Sequence, residues 1–250
     1  MAKQSGIIKL EGTIGDIAFY KSQDGHLARA KGGISADRIK GDAAFQRTRE
    51  NMDEFGRAGA AGKLLRMAFR TYLQNNADNR MVSRLTTAMM EVVKAGATNT
   101  RGQRNILDGE LEMLEGFEFN VHGQLSSTFY SPYTATINRV TGALGIAIPA
   151  FIPGNMVATP DGATHLRLVS GGAAVDFEAG TFEVVTSQSA DIPINQAQIA
   201  AQNLLNQLTA NSTSPLFLVF GIQFYQQVNL VNYPLKNGNY NCLALVRVLG

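Results

Sequence analysis

From Asn120 to Gly250 the chain repeats one pattern that few folds accept. Short alternating or apolar runs, TATIN, LGIAIPAF, THLRLVS, FEVVTS, PLFLVFGIQFYQQV and YNCLALVRV, are separated by turn clusters such as VTG, TPDG, SGG and KNGN. Alternation of period two puts every second side chain on one face of a strand, and the spacing of the turns matches stacked antiparallel strands. An antiparallel β-sandwich over 120–250 follows. Pro149 and Pro153 suit an edge strand or a bulge, because proline cannot donate to a ladder. The amide-rich stretch NQAQIAAQNLLNQLTANSTS carries neither pattern and reads as a helix or a long ordered loop between two strands. Cys242, the single cysteine, falls in an apolar run and is expected on the face of the last strand that carries Ala244, Val246 and Val248.

The segment 35–119 has a different period. Ser35 or Asp37 can cap a short first helix, and Asp42 opens a longer run in which Phe45, Met52, Phe55, Leu64, Leu65, Met67, Phe69 and Leu73 recur at helical spacing. NNADNR interrupts it, and a further helix from about Arg80 carries Val82, Leu85, Met89, Val92 and Val93. The stretch GRAGAAGK, Gly56 to Lys63, superficially matches a phosphate-binding loop. Its first glycine is misplaced, Leu64 stands where Ser or Thr is required, and no apolar strand precedes it. Its small residues read instead as a place where another backbone approaches closely, or as a helix break.

Residues 1–34 form the third segment, a glycine-punctuated ribbon. IIKLE, DIAFYKS and HLARAK are strand-like and are separated by Gly12 to Gly15 and by Asp24-Gly25, so a three-stranded meander is the simplest reading. Its apolar set, Ile8, Leu10, Ile14, Ile17, Phe19 and Leu27, is too small for independent stability, and the ribbon must dock on something.

Charge separates the same segments. Through Arg104 there are 18 Lys and Arg against 10 Asp and Glu, whereas residues 105–119 hold five acids and no base. Arg47, Arg49, Arg57, Lys63, Arg66 and Arg70 form a basic contact face suited to phosphates or to an acidic protein surface. Glu50, Asp53 and Glu54 are interleaved with them, and no helix-turn-helix, zinc or RNP pattern is present. Glu110, Glu112, Glu115 and Glu118 alternate with Leu111, Met113, Leu114 and Phe117 and read as the wet face of an amphipathic element. His26, His122 and His165 stand in no ligand spacing, and no GxSxG surrounds a serine. No catalytic residue, metal ion or cofactor is expected. The longest apolar stretches fall short of the roughly twenty residues that cross a bilayer, so no membrane span is expected either. MAKQSGIIKLEG reads as neither export signal nor anchor, which points to synthesis in the cytoplasm.

The order GIIKLEGTIGDIAFYKS, AFQRTRENMDEF, then INRVTGALGIAIPAF and LFLVFGIQFYQQVN resembles a group of bacterial proteins, common in Bacteroidota. These begin with a short Gly-rich hairpin and end in an immunoglobulin-like sandwich. The resemblance implies a non-enzymatic protein present in many copies. The expectation is an α+β chain of β-ribbon, helical middle and C-terminal sandwich, acting as the subunit of a homopolymer such as a filament, a tube or a phage-like particle. Its partners are then copies of itself, joined by strand docking and helix packing. The alternatives are nucleic-acid binding through the basic helices and a monomeric binding or adhesion module, the latter disfavoured by the absence of tryptophan and of an export signal.

Overall fold

Strand-forming sequence lies at both ends and helix-forming sequence between them, and the architecture is accordingly mixed α+β. The computed structural model describes residues 1–30 and 32–250, with 236 and 237 described by their backbone alone. Lys31, the end of the HLARAK run, lies outside the described residues. The chain forms two compact units, residues 1–49 and 50–250.

The first unit is a four-stranded antiparallel sheet followed by short helical pieces. β1 (Ala2–Lys3), β2 (Gly12–Ile14), β3 (Ile17–Ser22) and β4 (Gly25–Ala30) lie in the order β1-β4-β3-β2. The expected strand IIKLE is not one of them. Ile14 pairs with Ile17 across a two-residue turn at Gly15 and Asp16, and Gly12, at φ +116°, ends the strand that this turn sets, so Ser5–Glu11 loops out. The Gln4 side chain ties that loop down, accepting from Leu10 N–H at 2.8 Å and donating to the carbonyl of Leu27 at 3.0 Å. Ser35 caps α1 (Ala36–Gly41) by accepting from Arg38 N–H, and Asp42 caps the single 3-10 turn that follows.

The second unit is layered around one large sheet. α2 (Gln46–Ala68), which starts in the first unit, is followed by α3 (Arg70–Asn76) and α4 (Met81–Ala95). Further along come α5 (Leu125–Thr128), β5 (Thr134–Asn138), β6 (Ala143–Ile148) and α6 (Pro153–Met156). The remaining strands are β7 (His165–Asp176), β8 (Thr181–Gln188), β9 (Ile192–Pro193), β10 (Gln202–Gln207), β11 (Leu216–Val228), β12 (Val231–Pro234) and β13 (Cys242–Leu249). β7 and β11 are the central pair; β12 and β13 flank β11, and β8 and β9 flank β7. β10-β6-β5 make a separate three-stranded sheet.

Alternation on β11 shows why three layers result. Phe217 and Val219 join Leu65, Phe69, Leu85 and Met89 in a core under the helices, while Leu218, Phe220 and Ile222 join Leu144, Ile146 and Leu204 in a core under the small sheet. Both faces of the large sheet are covered, so its central strands read as continuous apolar runs. Sandwich-like packing of antiparallel sheets is thus present, with a helical layer added on the outer face of the larger sheet. The helices from residue 50 onward belong to the same unit as the strands because their apolar faces close that core.

Several local expectations are corrected. The SGG cluster is not a turn but the middle of β7. A Cβ on Gly171 would stand 3.1 Å from the Tyr72 ring and 3.3 Å from that of Phe69; one on Gly172 would stand 3.0 Å from Asn206 Cβ. These glycines admit α3 on one face and β10 on the other. The amide-rich stretch contains no helix; it contributes β10, paired in register with β6. Pro153 opens the one-turn helix α6 instead of standing in a strand, the first helical turn being where its missing N–H costs nothing. A bulge at Val246 flips the end of β13, so Val248 enters the helix-side core while Cys242, Ala244 and Val246 face the small sheet. The segment GRAGAAGK is continuous helix.

Candidate assembly surfaces

No described residue of 1–49 is buried. Ile14, Ile17 and Phe19 share one face of the ribbon sheet by register, with Ala28 and Ala30 beside them. Leu27 lies on the opposite face, across from Tyr20, over whose ring the Arg29 guanidinium sits at 5.6 Å. Ile8 and Leu10 stand in the loop before β2, and the Ile7 and Ile8 side chains are almost wholly in water. Ile14 is 62% exposed and Ile17 46% exposed, whereas Phe19 and Leu27 are half-buried. The six apolar residues read from the sequence as an assembly set are therefore divided among two sheet faces and a loop.

On α2 the inward positions are Glu54, Ala58, Ala61, Gly62, Leu65 and Ala68. Met52, Phe55 and Met67, among the apolar residues that recur at helical spacing, point outward, the first two at 59% exposure. Small side chains face in because α4 packs close against them; a Cβ on Gly62 would meet Leu85 at 3.6 Å. The outer face thus carries Met52, Phe55, Gly56, Ala60 and Met67, with Lys63 among them. A cavity of about 490 Å³ opens beside it, floored by Ala60, Leu64, Met67, Ile106 and Phe177 and rimmed by Arg57, Lys63 and Glu178.

The basic residues serve different ends. Arg47 is exposed; Arg49 donates to the carbonyls of Ile39 and Asp42 at 2.7 and 2.8 Å. Arg57 donates to the carbonyls of Arg104 and Gly102 at 2.7 and 2.8 Å and so pins the loop after α4 to α2. Arg66 is half-buried and donates to the carbonyl of Gly62, while Lys63 and Arg70 are exposed. Next to Arg57 the buried Glu54 accepts from Arg104 at 2.8 and 3.0 Å and from Gly102 N–H at 2.8 Å. The hydrogen bond from Arg104 holds its carboxyl below the ordinary value.

The acidic segment is tied to the C-terminal strand. Glu112 accepts from Gly250 N–H and Glu115 from Val248 N–H, each at 2.9 Å. Glu118 sits half-buried, accepting from Leu125 N–H at 2.9 Å; burial pushes its carboxyl up, against the opposing pull of the Leu125 and Ser126 amides and of Arg84. Asp78 goes the other way. Burial would raise it, but the N–H groups of Val121 and Arg80 and its ion pair with Arg84 outweigh that and hold it low. His26 lies 3.7 Å from Glu11, and His165 Nδ1 is 3.0 Å from the Thr164 hydroxyl. Cys242 is wholly buried, which pushes its thiol up to about 12. Among the described residues no group of three or more His, Cys, Asp and Glu side chains is placed to hold a metal ion, and no helix is long and apolar enough to cross a membrane.

One surface was not read from the sequence. Among the described residues β8 pairs with β7 and with no other strand. Ser189 N–H donates to the carbonyl of Leu168, and the alternation of an antiparallel ladder from that pair turns the N–H and C=O of Phe182, Val184, Thr186 and Gln188 away from β7. Val184 and Val185 are only half-buried and Phe182 is exposed. The available sequence signal is one of charge: between Arg167 and Lys236 there is no Lys or Arg, while Asp176, Glu178, Glu183 and Asp191 all occur. No protein-family model, curated protein or solved structure matches the chain.

Proposed function

We propose that the chain is a structural subunit that assembles with copies of itself through its N-terminal ribbon and the outer face of α2. One observation carries this reading: the first unit holds a complete four-stranded ladder yet buries none of its described side chains, and leaves Ile7, Ile8, Leu10, Ile14 and Ile17 in water. A small sheet that buries none of its side chains is marginal alone, and exposed apolar side chains in this number mark a docking surface. The α2 face, with Met52, Phe55 and the small residues Gly56 and Ala60, supplies a second surface on which another helix can approach closely. A filament, a tube or a closed particle all satisfy a head-to-tail contact of this type. Nucleic-acid binding is less well supported, since the guanidinium groups of Arg49 and Arg57 are already engaged by backbone carbonyls.

Sizing and electron microscopy of the purified chain test the reading. The expected result is ordered polymers for the intact chain. Removal of residues 1–30 is expected to leave a soluble, cooperatively melting monomer, because the cores lie in the second unit. Normal polymerisation without those residues rejects it.

A further inference from the structure

Resting on that reading, we infer that the free edge of β8 is the acceptor for the ribbon of a second copy, with residues 7–14 of that copy adding as a strand. Two incomplete features of the molecule fit each other. Ile7–Ile14, IIKLEGTI, has the period-two pattern of a strand, with Ile8, Leu10 and Ile14 on one side and Lys9, Glu11 and Thr13 on the other, yet only its last three residues are in a sheet. β8 is eight residues long, the same length, and offers an unused row of N–H and C=O groups. Main-chain pairing across such an edge gives affinity, and pockets for alternate side chains give register.

Side-chain chemistry agrees with the backbone match. Val184 packs against the helix-side core, so Phe182 and Val184 face the helices, and Glu183 and Val185 face the other way. An added strand that places Ile8 and Leu10 beside Phe182 and Val184 continues that apolar stripe toward the Phe177 end of the cavity next to α2. The same register puts Lys9 on the side of Glu183, whatever the direction of the strand. Charge favours the pairing more broadly: residues 1–49 hold nine Lys and Arg against five acids, whereas the β7–β8 hairpin beyond Arg167 carries Asp176, Glu178 and Glu183 and no Lys or Arg. The ribbon of one copy and the edge of the next are different surfaces, so the contact runs head to tail and propagates except where two copies exchange ribbons reciprocally.

Two measurements on the full-length chain test the assignment. Phe182→Pro removes an outward N–H at a position where proline is tolerated on an edge; it is expected to melt as the parent does and to raise the concentration needed for assembly about tenfold or more. Thr186→Pro serves the same purpose if Phe182→Pro melts abnormally. In the second, chains carrying Lys9→Cys and chains carrying Glu183→Cys, which that register places side by side in either strand direction, are mixed and treated with a short bis-maleimide, the native Cys242 being buried. Cross-linked heterodimers are expected. Unchanged assembly of the proline variants, or absence of heterodimers, overturns the β8 assignment while leaving the ribbon reading intact if removal of residues 1–30 still abolishes polymers. Intrachain cross-linking in the double variant at high dilution, matching the interchain yield, also overturns it, because the acceptor is then the chain's own ribbon. An intact chain that stays monomeric at every concentration removes the ribbon reading itself.

Discussion

Ile17 and Ile222 are both isoleucines in antiparallel strands with a paired neighbour on each side, yet Ile17 is 46% exposed and Ile222 is 0% exposed. The backbone of each is equally well provided for, so the difference lies wholly in what faces the side chain. β11 has helices over one face and a second sheet over the other; β3 fully buries no side chain on either face. A ladder satisfies amides and carbonyls, but the favourable free energy of folding comes from apolar area removed from water, and that needs a second layer. The second unit supplies its own layers.

The sharpest way to break this contrast is to truncate one aromatic in each region. Phe220 packs between Phe129 and Tyr133, with ring centroids at 5.7 and 5.1 Å. Phe220→Ala is expected to cost about 3–5 kcal/mol in a denaturant melt. Phe19→Ala should cost the isolated subunit less than about 1 kcal/mol and act instead on assembly. A large loss of subunit stability from Phe19→Ala means that the ribbon is packed on its own chain.

A slightly smaller effect is expected at Glu54. Glu54→Ala strands the Arg104 charge and the Gly102 amide, at a cost of about 3 kcal/mol. Glu54, Asp78 and Asp191 all have carboxyls held below their ordinary values of 4.5 or 3.8. Their contribution is present above those values and is lost as pH falls through the lower native ones. Glu118, pushed up, has the opposite sign: its charged form opposes folding above pH 4.5. Melting temperature should therefore fall on going from about pH 7 to pH 3, and Glu54→Gln should flatten that fall. Glu118→Gln should leave the neutral-pH melt unchanged or raise it.

Glycines sharpen the comparison within the second unit. Gly171→Val forces a branched side chain against Tyr72 and Phe69 and is expected to cost about 1–3 kcal/mol. Gly59→Ala, on the outer face of α2 with open space at its Cβ, should stabilise by about 0.5–1 kcal/mol unless a partner helix lies there in the assembly. Loss of assembly with gain of subunit stability in Gly59→Ala then locates the helix contact. The smallest expected effect is none: Cys242 should resist a maleimide under native conditions, and rapid labelling without unfolding contradicts the packing of β13 described above.

The strands with both periodicity and turn signals were legible from the residues alone: β5, β6, β8, β11 and β13 fall in the runs that alternation marks. The rest was hidden for physical reasons. β10 inverts the usual pattern, since Asn206 is buried against the Ser170 hydroxyl at 2.8 Å while Leu205 is exposed. On α2 close packing selects Ala58 and Ala61 for the inside, so reading the core by side-chain size puts Met52 and Phe55 on the wrong face. The glycines of β7 resemble a turn because sequence does not show which neighbour must come near. The open edge of β8 depends on which strands fail to meet, a property of topology that no local pattern carries.

The burial of Cys242 bears on how durable any union of copies can be. The chain has a single sulfhydryl, and it is sealed between β11 and the small sheet, so no disulfide can form between folded neighbours. An oxidising or a reducing surrounding then changes nothing at the joints. If copies do associate, they come together and part by mass action, and a tenfold dilution should then shift their balance by about 1.4 kcal/mol for each joint.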